Sequence, residues 1–447
     1  AGALSWDGDV SEDIVFYGNE VNGHAFDPAA GEFPENDGFG GIGINLGSNR
    51  VWIVDNVITR AGGDAVGGGH AANYTASNYY IGRNVLSTCG ENAVDIKEVE
   101  NVVVSQNVMY DYQGWSSGSD GTAVVVHYGP TYSPKNVWIL FNEIYDAADK
   151  GIQVGGDQEY DVYVIGNLIH DIHNAAGTGV GYRTWSSNQV YFVGNVFYNL
   201  DNGLQHDTEA QDAQLILYNN IIANVGPSGY HLLVGGSGQR AAADIGHNLF
   251  YQPGADVRID WGSQDYNVVE FQAATGKCQG CLEADPLFVD AAHHDFHLQS
   301  ASPARDAGVL SALYRQFEDF FGADIRLDFD GVPRPQGGGW DIGAYEFTPA
   351  LALRGAPSDR AIRLTWDVNG ALPVSATWTI NYETPGSVYL PITGILSPTR
   401  AYTLTDLTNY VWYTVTLNAM LDATPILTDT AMVMPTDIRV CLPLVLR

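Results

Sequence analysis

Charged residues are scarce in this chain, and positively charged ones are the scarcest. Of its 447 residues only 16% are charged, with 52 acidic against 20 basic side chains and a formal net charge of −32. A surface of this sign repels nucleic acids and anionic membranes, so both are poor partners, and we expect no nucleic-acid partner. It accepts divalent cations, which makes Ca²⁺ a possible cofactor. A solvated acidic surface needs no bound metal, however, and is the simpler interpretation.

Cysteines and long apolar runs are also few, and no stretch is apolar enough to predict a membrane span. Cys278 and Cys281 lie in the sequence CQGC, which lacks the second pair of a zinc site and does not open a helix as redox motifs do. We interpret the pair as a local disulfide or two free thiols. Whether Cys89 and Cys441 pair is open, because they fall in different predicted domains.

What the chain has in abundance is a repeat. The unit apolar-x-apolar-x-x-Asn-x-apolar recurs from IVFYGNEV (14–21) to ADIGHNLF (243–250). Its alternation predicts strands with one buried face, and its shortest step, 23 residues from Asn84 to Asn107, suits one coil of a β-helix. We expect each Asn to adopt the left-handed conformation at a bend and to hydrogen-bond to neighbouring coils. The predicted ladder comprises Asn19, Asn56, Asn84, Asn107, Asn142, Asn167, Asn195, Asn220 and Asn248.

A second strand follows each bend, within windows of five residues. These windows include GIGIN (41–45), AVDIK (93–97), AVVVH (123–127), GIQVG (151–155), GVGYR (179–183), GLQHD (203–207) and DVRID (256–260). Their second and fourth residues are predicted to face the core, and their third and fifth residues the solvent. Because neighbouring strands lie about 4.8 Å apart, equivalent outward residues would form columns. The catalytic candidates come from the fifth-residue column: Lys97, His127, Arg183 and Asp207. The substrate-binding candidates come from the third-residue column: Asp95, Gln153, Gln205 and Arg258.

These coils resemble the bacterial secreted β-helix repeat proteins, whose architecture is that of pectate lyases. The stretches DPLFVDAAHHDFHLQSASPARDAG (285–308) and DFDGVPRPQGGGWDIGAYEF (328–347) resemble the segment that closes many of them. The resemblance implies a right-handed parallel β-helix over residues 1–347, with a closing segment at 285–347, in a secreted protein. A chain that begins at Ala1 suits a processed secretory product, although a trimmed chain would look the same.

A different pattern begins after Phe347. A Pro- and Ala-rich joint leads into short alternating strands such as AIRLTW and YVWYTVTLNA. The spacing of Trp366, Tyr382, Leu407 and Tyr413 resembles a fibronectin type III domain, which implies a non-catalytic β-sandwich at 348–432. We interpret the tail at 433–447 as a last strand or as a strand added to a neighbour's sheet.

The outward columns carry the candidate chemistry. Lys97, His127 and Arg183 on one face could bind the carboxylate of a uronate sugar and remove a proton. Lys97 or Arg183 would be the base if neighbouring groups depressed its pKa. In the alternative interpretation these are ordinary surface charges, with Lys97 paired to Asp95 or Glu98.

Histidines elsewhere and known hydrolase motifs add little to this site. His206 is predicted to face the core, and His293, His294 and His297 in HHDFH are interpreted as structural rather than metal-binding. The Asn-Thr-Asp, Asp-Asp and Gly-His-Gly motifs of pectin hydrolases are absent. A polysaccharide lyase is therefore favoured over a hydrolase if the chain is an enzyme.

Two functions of different classes fit these features. The favoured one is an extracellular structural protein that self-assembles into a filament or surface layer, or that adheres to other surface proteins. Solenoid ends stack on a partner unless a polar cap covers them, and no capping helix is evident before the first coil. The alternative is a lyase or hydrolase that acts on an acidic polysaccharide along the Lys97–Arg183 face.

Overall fold

The computed structural model describes residues 11–23, 40–44, 48–68, 76–112, 114, 121–127, 133–155, 161–184, 189–206, 213–348, 350–369, 372–373 and 375–437. The chain divides into two compact units, Ala1–Leu298 with Ser302–Glu346 and Gln299–Ala301 with Phe347–Arg447. Long parallel sheets build the first unit and antiparallel sheets the second, which confirms a β-helix followed by a β-sandwich. Among the described helices none is long and apolar enough to cross a membrane.

Three sheets, A to C, run along the first unit, and each complete coil contributes one strand to each. Sheet A contains β1 (Glu12–Tyr17), β4 (Asn49–Val54), β7 (Ala76–Gly82), β10 (Val99–Ser105), β13 (Lys135–Leu140), β16 (Asp161–Ile165), β19 (Gln189–Val193), β22 (Gln214–Tyr218) and β25 (Asp244–Gly246). Sheet B contains β2 (Glu20–Asn22), β5 (Val57–Thr59), β8 (Val85–Ser87), β11 (Val108–Tyr112), β14 (Glu143–Ala147), β17 (Leu168–Ile172), β20 (Val196–Leu200), β23 (Ile221–Val225), β26 (Leu249–Tyr251) and β29 (Leu282–Glu283). Sheet C contains β3 (Ile42–Ile44), β6 (Val66–Gly68), β9 (Val94–Lys97), β12 (Thr122–His127), β15 (Lys150–Val154), β18 (Val180–Thr184), β21 (Asn202–His206), β24 (Leu232–Val234), β27 (Ile259–Trp261) and β28 (Asp265–Tyr266). All pairings are parallel except the last, between β27 and β28.

The asparagines form a continuous ladder at the bend between sheets A and B. From Asn19 to Asn248, each Nδ2 and each backbone N–H donates to Oδ1 of the equivalent Asn one coil further on, at 2.8–3.0 Å. The second Nδ2 proton reaches a sheet A carbonyl, as from Asn142 to the Val104 oxygen at 2.9 Å. The ladder therefore satisfies polar groups that would otherwise be buried without partners.

The left-handed residue at this bend is the one before the Asn. The angle φ is 57° at Asp55, 56° at Arg83 and 53° at Phe141, and it is 68° at Gly166 and Gly194. We expected the Asn itself to adopt this conformation. Because the left-handed residue precedes the asparagine, the asparagine side chain points into the interior. A non-glycine residue in this conformation costs about 1–2 kcal/mol, which the ladder's hydrogen bonds offset.

The inward faces of the three sheets enclose one apolar core. Val94, Ile96, Val124, Ile152 and Leu204 on sheet C are each at most 2% exposed, as the alternation predicts. Core residues of successive coils, beginning with Ile42 of the first, pack into the same cluster. Cys89 is a buried free thiol within it. The described interior is therefore a mainly apolar column along which the asparagine ladder forms a continuous polar row.

The pairing of the coils differs from the predicted one in two windows. Val180 pairs with Lys150 and Arg183 with Gln153, so Arg183 lies in the third-residue column rather than the fifth. Strand β24 was not predicted from the sequence. Beyond it the third-residue column continues with Asp260 and not with Arg258, because Asp260 pairs with Leu233 of β24. A shift of two residues keeps every side chain on its predicted face, so alternation cannot detect it.

The end of the unit is covered by a helix and a disulfide. Helix α2 (Val268–Thr275) packs Phe271 into the core, where it meets Trp261 at a ring distance of 4.9 Å. Cys278 and Cys281 form a disulfide next to it. The backbone N–H of Asn248 donates to Sγ of Cys281 at 3.5 Å, so the ladder terminates on this loop. The short helix α1 (Ser237–Ala242) lies between β24 and β25.

The predicted closing segment lies along the sides of the coils. Its helix α3 (Leu313–Phe321) covers the outer face of sheet A, where Phe317 meets Trp138 at a ring distance of 4.9 Å. Its hairpin, β30 (Phe288–Asp290) and β31 (Asp295–Leu298) around a 3₁₀ turn at 291–293, places Phe296 against Tyr198 of sheet B. The closing segment therefore buries aromatic rings on the outer faces of these two sheets, such as Trp138 and Tyr163 of sheet A and His170 of sheet B.

The second unit contains two antiparallel sheets. One contains β32 (Ala350–Ser358), β33 (Ala361–Asn369) and β37 (Ala401–Leu404). The other contains β34 (Thr377–Thr384), β35 (Ser387–Val388), β36 (Ile392–Leu396), β38 (Tyr413–Leu421) and β39 (Thr424–Val433). Trp366 and Trp378 meet edge to face in its core, at a ring distance of 5.5 Å. The apolar tail from 438, including Cys441, falls outside the described residues.

Candidate active site

The outward side chains of sheet C fall into two neighbouring columns. The third-residue column contains Gly67, Asp95, Val125, Gln153, Arg183, Gln205, Leu233 and Asp260. Lys97 and His127 lie side by side in the next column. Asp207, which was predicted to join them, lies outside the described residues.

Asp95 is the centre of the densest group of charges on this face. Its side chain is only 6% exposed, and it forms an ion pair with Nζ of Lys97. Nε2 of His127 lies 3.2 Å from its other oxygen, Oδ1. Burial alone would raise the pKa of Asp95, but the contacts with His127 and Lys97 outweigh burial and hold it below its usual range. Asp95 is therefore an ionised carboxylate between the ammonium group of Lys97 and the imidazole of His127.

A second carboxyl group approaches Asp95 from the preceding coil. Gly67 leaves room for it, since a Cβ at that position would lie 3.0 Å from Oδ2 of Asp64. Oδ1 of Asp64 accepts a hydrogen bond from Nδ2 of Asn92 at 2.8 Å. Burial and the negative charge of Asp95 raise the pKa of Asp64 well above its usual range. The pKa values of the two carboxyl groups are therefore driven in opposite directions, and Asp64 binds a proton more readily than Asp95 does.

Lys97 is unsuited to the role of base. Burial lowers its pKa, but the Asp95 carboxylate more than compensates, and the pKa of Lys97 is raised. Its ammonium group therefore keeps its proton, contrary to what the lysine-base hypothesis requires. His127 is 26% exposed, and its Nδ1 has no hydrogen-bond partner in the described part of the chain. The geometry favours His127 as the proton acceptor.

The other candidates lie further along the solenoid. Arg183 is exposed, and its guanidinium makes no ion pair with any described residue. Gln153 and Gln205, on the coils to either side of Arg183, are partly exposed. Arg258 is outside this column, because Asp260 occupies the corresponding position of its strand. The guanidinium of Arg258 instead stacks over the ring of Tyr230 at 4.4 Å and donates to Asp265 at 3.2 Å. The structure thus brings together Asp95, Lys97 and His127, and it separates Arg183 and Arg258 from them.

Asp64 is the member of this site that sequence reasoning missed. It lies in the turn before β6, outside the five-residue windows from which the columns were derived. The adjacent GGDAVGGG is a sequence signal, because a run of glycines in an outward column leaves space for a side chain from a turn.

Comparison with known proteins adds no functional assignment. No protein-family model and no curated protein sequence matches this chain.

Proposed function

We propose that the outer face of sheet C binds and cleaves an acidic polysaccharide outside the cell. The observation that carries the proposal is the grouping of His127 with Asp95 and Asp64, two carboxyl groups whose pKa values are driven in opposite directions. Carboxyl groups whose pKa values are driven apart are characteristic of general acid–base sites. A parallel β-helix also presents such groups on a long, regular surface suited to a linear polymer.

The chemistry that this group supports is a β-elimination. His127, oriented by Asp95, would accept the proton from C5 of a uronate sugar. The electrons of that C–H bond form a C4=C5 double bond as the C4–O bond breaks. The leaving oxygen takes a proton from water or from the carboxyl group of Asp64, whose raised pKa favours its protonated form. Lys97 holds Asp95 in its ionised form and so acts as a positioning residue.

Arg183 is proposed to anchor a neighbouring sugar of the same polymer. It lies two strands beyond His127, a distance of about 10 Å along the face. Its guanidinium has no ion-pair partner among the described residues and can bind a carboxylate through two parallel hydrogen bonds, which overcomes the general repulsion from an acidic surface. The Cys278–Cys281 disulfide supports the expected location, since such bonds persist in oxidising compartments.

Ultraviolet absorbance of the unsaturated uronate product tests this proposal. We expect His127→Ala to lower kcat by about 10²- to 10⁴-fold, the usual contribution of a general base. We expect Arg183→Ala to raise KM by about tenfold or more, the loss of a charged hydrogen bond. His293→Ala and Arg315→Ala, whose side chains are 82% and 79% exposed on the closing segment, are the matched controls. Wild-type rates in His127→Ala, or no product from any acidic glycan, would reject the assignment.

End-to-end assembly of the solenoid is a second candidate, favoured by the first coil. Ile14 and Phe16 face inward and are only partly buried, whereas their partners one coil on, Val51 and Ile53, are fully buried. A further coil from another molecule would complete their burial. In this proposal the second unit serves as a fibronectin type III-like spacer or adhesive module on a bacterial surface.

Light scattering tests the assembly proposal. The mass of the full chain should rise with concentration, and Phe16→Glu should abolish that rise. Val289→Glu, which changes a side chain 47% exposed on the closing hairpin, is the control. A chain that remains monomeric at high concentration would contradict assembly.

A further inference from the structure

A second polar group lies on the outer face of sheet B, away from the proposed active site. An aromatic column occupies this face, with Tyr110, Tyr145, His170 and Tyr198 on successive coils. The ring of His170 stacks on that of Tyr145 at 5.1 Å. Phe296 of the closing hairpin covers it from outside at a ring distance of 5.2 Å, and His170 is fully buried. A fully buried histidine on an outward strand face requires polar partners under the hairpin.

Three metal-ligand side chains converge at this point. Nε2 of His170 lies 3.4 Å from Oε1 of Glu143, and one ligand atom each from Glu143, His170 and His294 all fall within 4.8 Å of one another. Two ligands of a tetrahedral zinc ion, each about 2.0–2.1 Å from the metal, are about 3.3 Å apart. The distance of 3.4 Å between Nε2 of His170 and Oε1 of Glu143 therefore matches the distance between two ligand atoms of a tetrahedral zinc site.

The orientation of His170 is the one that metal-binding histidines adopt. Its Nδ1 lies 2.7 Å from Oδ2 of Asp171, which leaves Nε2 directed at Glu143. A carboxylate on the remote nitrogen fixes the tautomer in which Nε2 has a free lone pair. The same oxygen of Asp171 lies 3.1 Å from Nε2 of His294, so Asp171 touches both imidazoles.

We propose that Glu143, His170 and His294 bind one divalent transition-metal ion of the zinc class. Two imidazoles and a carboxylate suit zinc, whereas calcium takes oxygen ligands only. Three protein ligands leave a fourth position for water. Glu143 and His294 are 27% and 45% exposed, so the ion has access from solvent.

The three ligands come from two different parts of the chain, so a bound ion would link them. Glu143 belongs to β14 and His170 to β17, two adjacent coils, while His294 belongs to the turn of the closing hairpin. The ion would join this hairpin to the coils. Neighbouring His293 and His297 have carboxylate partners of their own, Asp290 and Asp330, at 2.8 Å. His294 is thus the one histidine of HHDFH that this site uses.

Titration of the chelator-treated full chain with Zn²⁺, followed by calorimetry, tests the proposal. We expect one equivalent to bind, with Ca²⁺ unable to compete. His294→Ala and Glu143→Gln should weaken binding at least tenfold, and Asp171→Asn by about 10- to 100-fold. His293→Ala is the matched control and should bind as the wild type does.

Cobalt provides a readout that does not depend on heat. Co²⁺ should give the strong visible absorption of a four-coordinate site, and His294→Ala should remove it. Because His294 lies on an exposed turn, its replacement should leave the far-ultraviolet circular dichroism unchanged. Less than one equivalent of Zn²⁺, or equal affinities in His294→Ala and His293→Ala, would overturn the assignment.

Discussion

The asparagine ladder offers the sharpest test of how this solenoid is stabilised, and Asn142 is its central member. Oδ1 of Asn142 accepts from the backbone N–H and from Nδ2 of Asn107, both at 2.9 Å. Its Nδ2 donates to the Val104 oxygen at 2.9 Å and to Oδ1 of Asn167 at 3.0 Å. Asn142→Ala removes all four bonds and leaves two buried donors of Asn107 without an acceptor. At about 1–3 kcal/mol for each unsatisfied group, we expect a loss of about 4 kcal/mol in the free energy of unfolding.

A second substitution separates the role of the Asn142 side chain as a hydrogen-bond acceptor from its role as a donor. Asn142→Asp keeps the acceptors for Asn107 but replaces the two donors with a buried negative charge. At neutral pH it should therefore destabilise the chain more than Asn142→Ala does, because an unpaired buried charge is costlier than a missing hydrogen bond. Acidification should partly restore stability, since a protonated carboxyl group regains one donor.

Urea unfolding followed by circular dichroism measures both effects. With a urea dependence of about 3 kcal/mol per molar, the midpoint of the parallel unit should fall by about 1 M or more in Asn142→Ala. Asn19→Ala, at the exposed start of the ladder, is the matched control and should shift the midpoint far less. Equal shifts for Asn19→Ala and Asn142→Ala, or a wild-type midpoint in Asn142→Asp, would refute this account of the ladder.

Two further predictions concern buried ionisable groups. Burial lowers the pKa of both His206 and His231 to about 4. Between pH 6.5 and 4 the unfolded chain therefore binds more protons than the folded chain does. Acidification through that window should lower the free energy of unfolding by about 3 kcal/mol for each histidine. The dependence of the unfolding free energy on pH should be smaller in His231→Gln by the contribution of one histidine, and an unchanged slope would contradict the assignment. Arg334 is buried in the closing segment and bonds to Glu346 at 3.1 Å and to the Gly343 oxygen at 2.7 Å. Arg334→Ala should cost about 3–5 kcal/mol in a urea melt, because it removes the cation beside the buried Glu346 side chain and leaves it only backbone hydrogen bonds. The exposed control Arg315→Ala should cost under about 1 kcal/mol, and similar losses in the two variants would show that the buried pair does not stabilise the segment.

Local patterns in the sequence were sufficient for the coils. Apolar alternation determines which side chains of β9, β12 and β15 face inward, because a two-residue period is a property of the strand alone. The recurrent asparagine marks each bend, although the left-handed residue proved to be its neighbour. The column of sheet B also has a sequence signal, because a tyrosine or histidine follows three residues after each of Asn107, Asn142, Asn167 and Asn195.

These short-range patterns did not predict the register in which the strands of neighbouring coils pair. The displacement of Arg183 by one column arises because loops of different length precede each strand, and a two-residue shift preserves inside and outside. Asp64 approaches Asp95 only because a turn enters the space left by Gly67. The pKa of Lys97 likewise depends on the neighbouring carboxylate and not on the residue type.

The sequence by itself therefore determined the β-helix, its asparagine ladder and the outward placement of Lys97 and His127. Each of these follows from a short-range periodicity that repeats in every coil. The tertiary structure alone decided which charges meet, because contacts such as Asp64 with Asp95, or His170 with His294, join segments from different coils or from the closing hairpin. No periodicity of the chain encodes those distances, and they arise only when the coils stack and the closing segment packs on their outer faces.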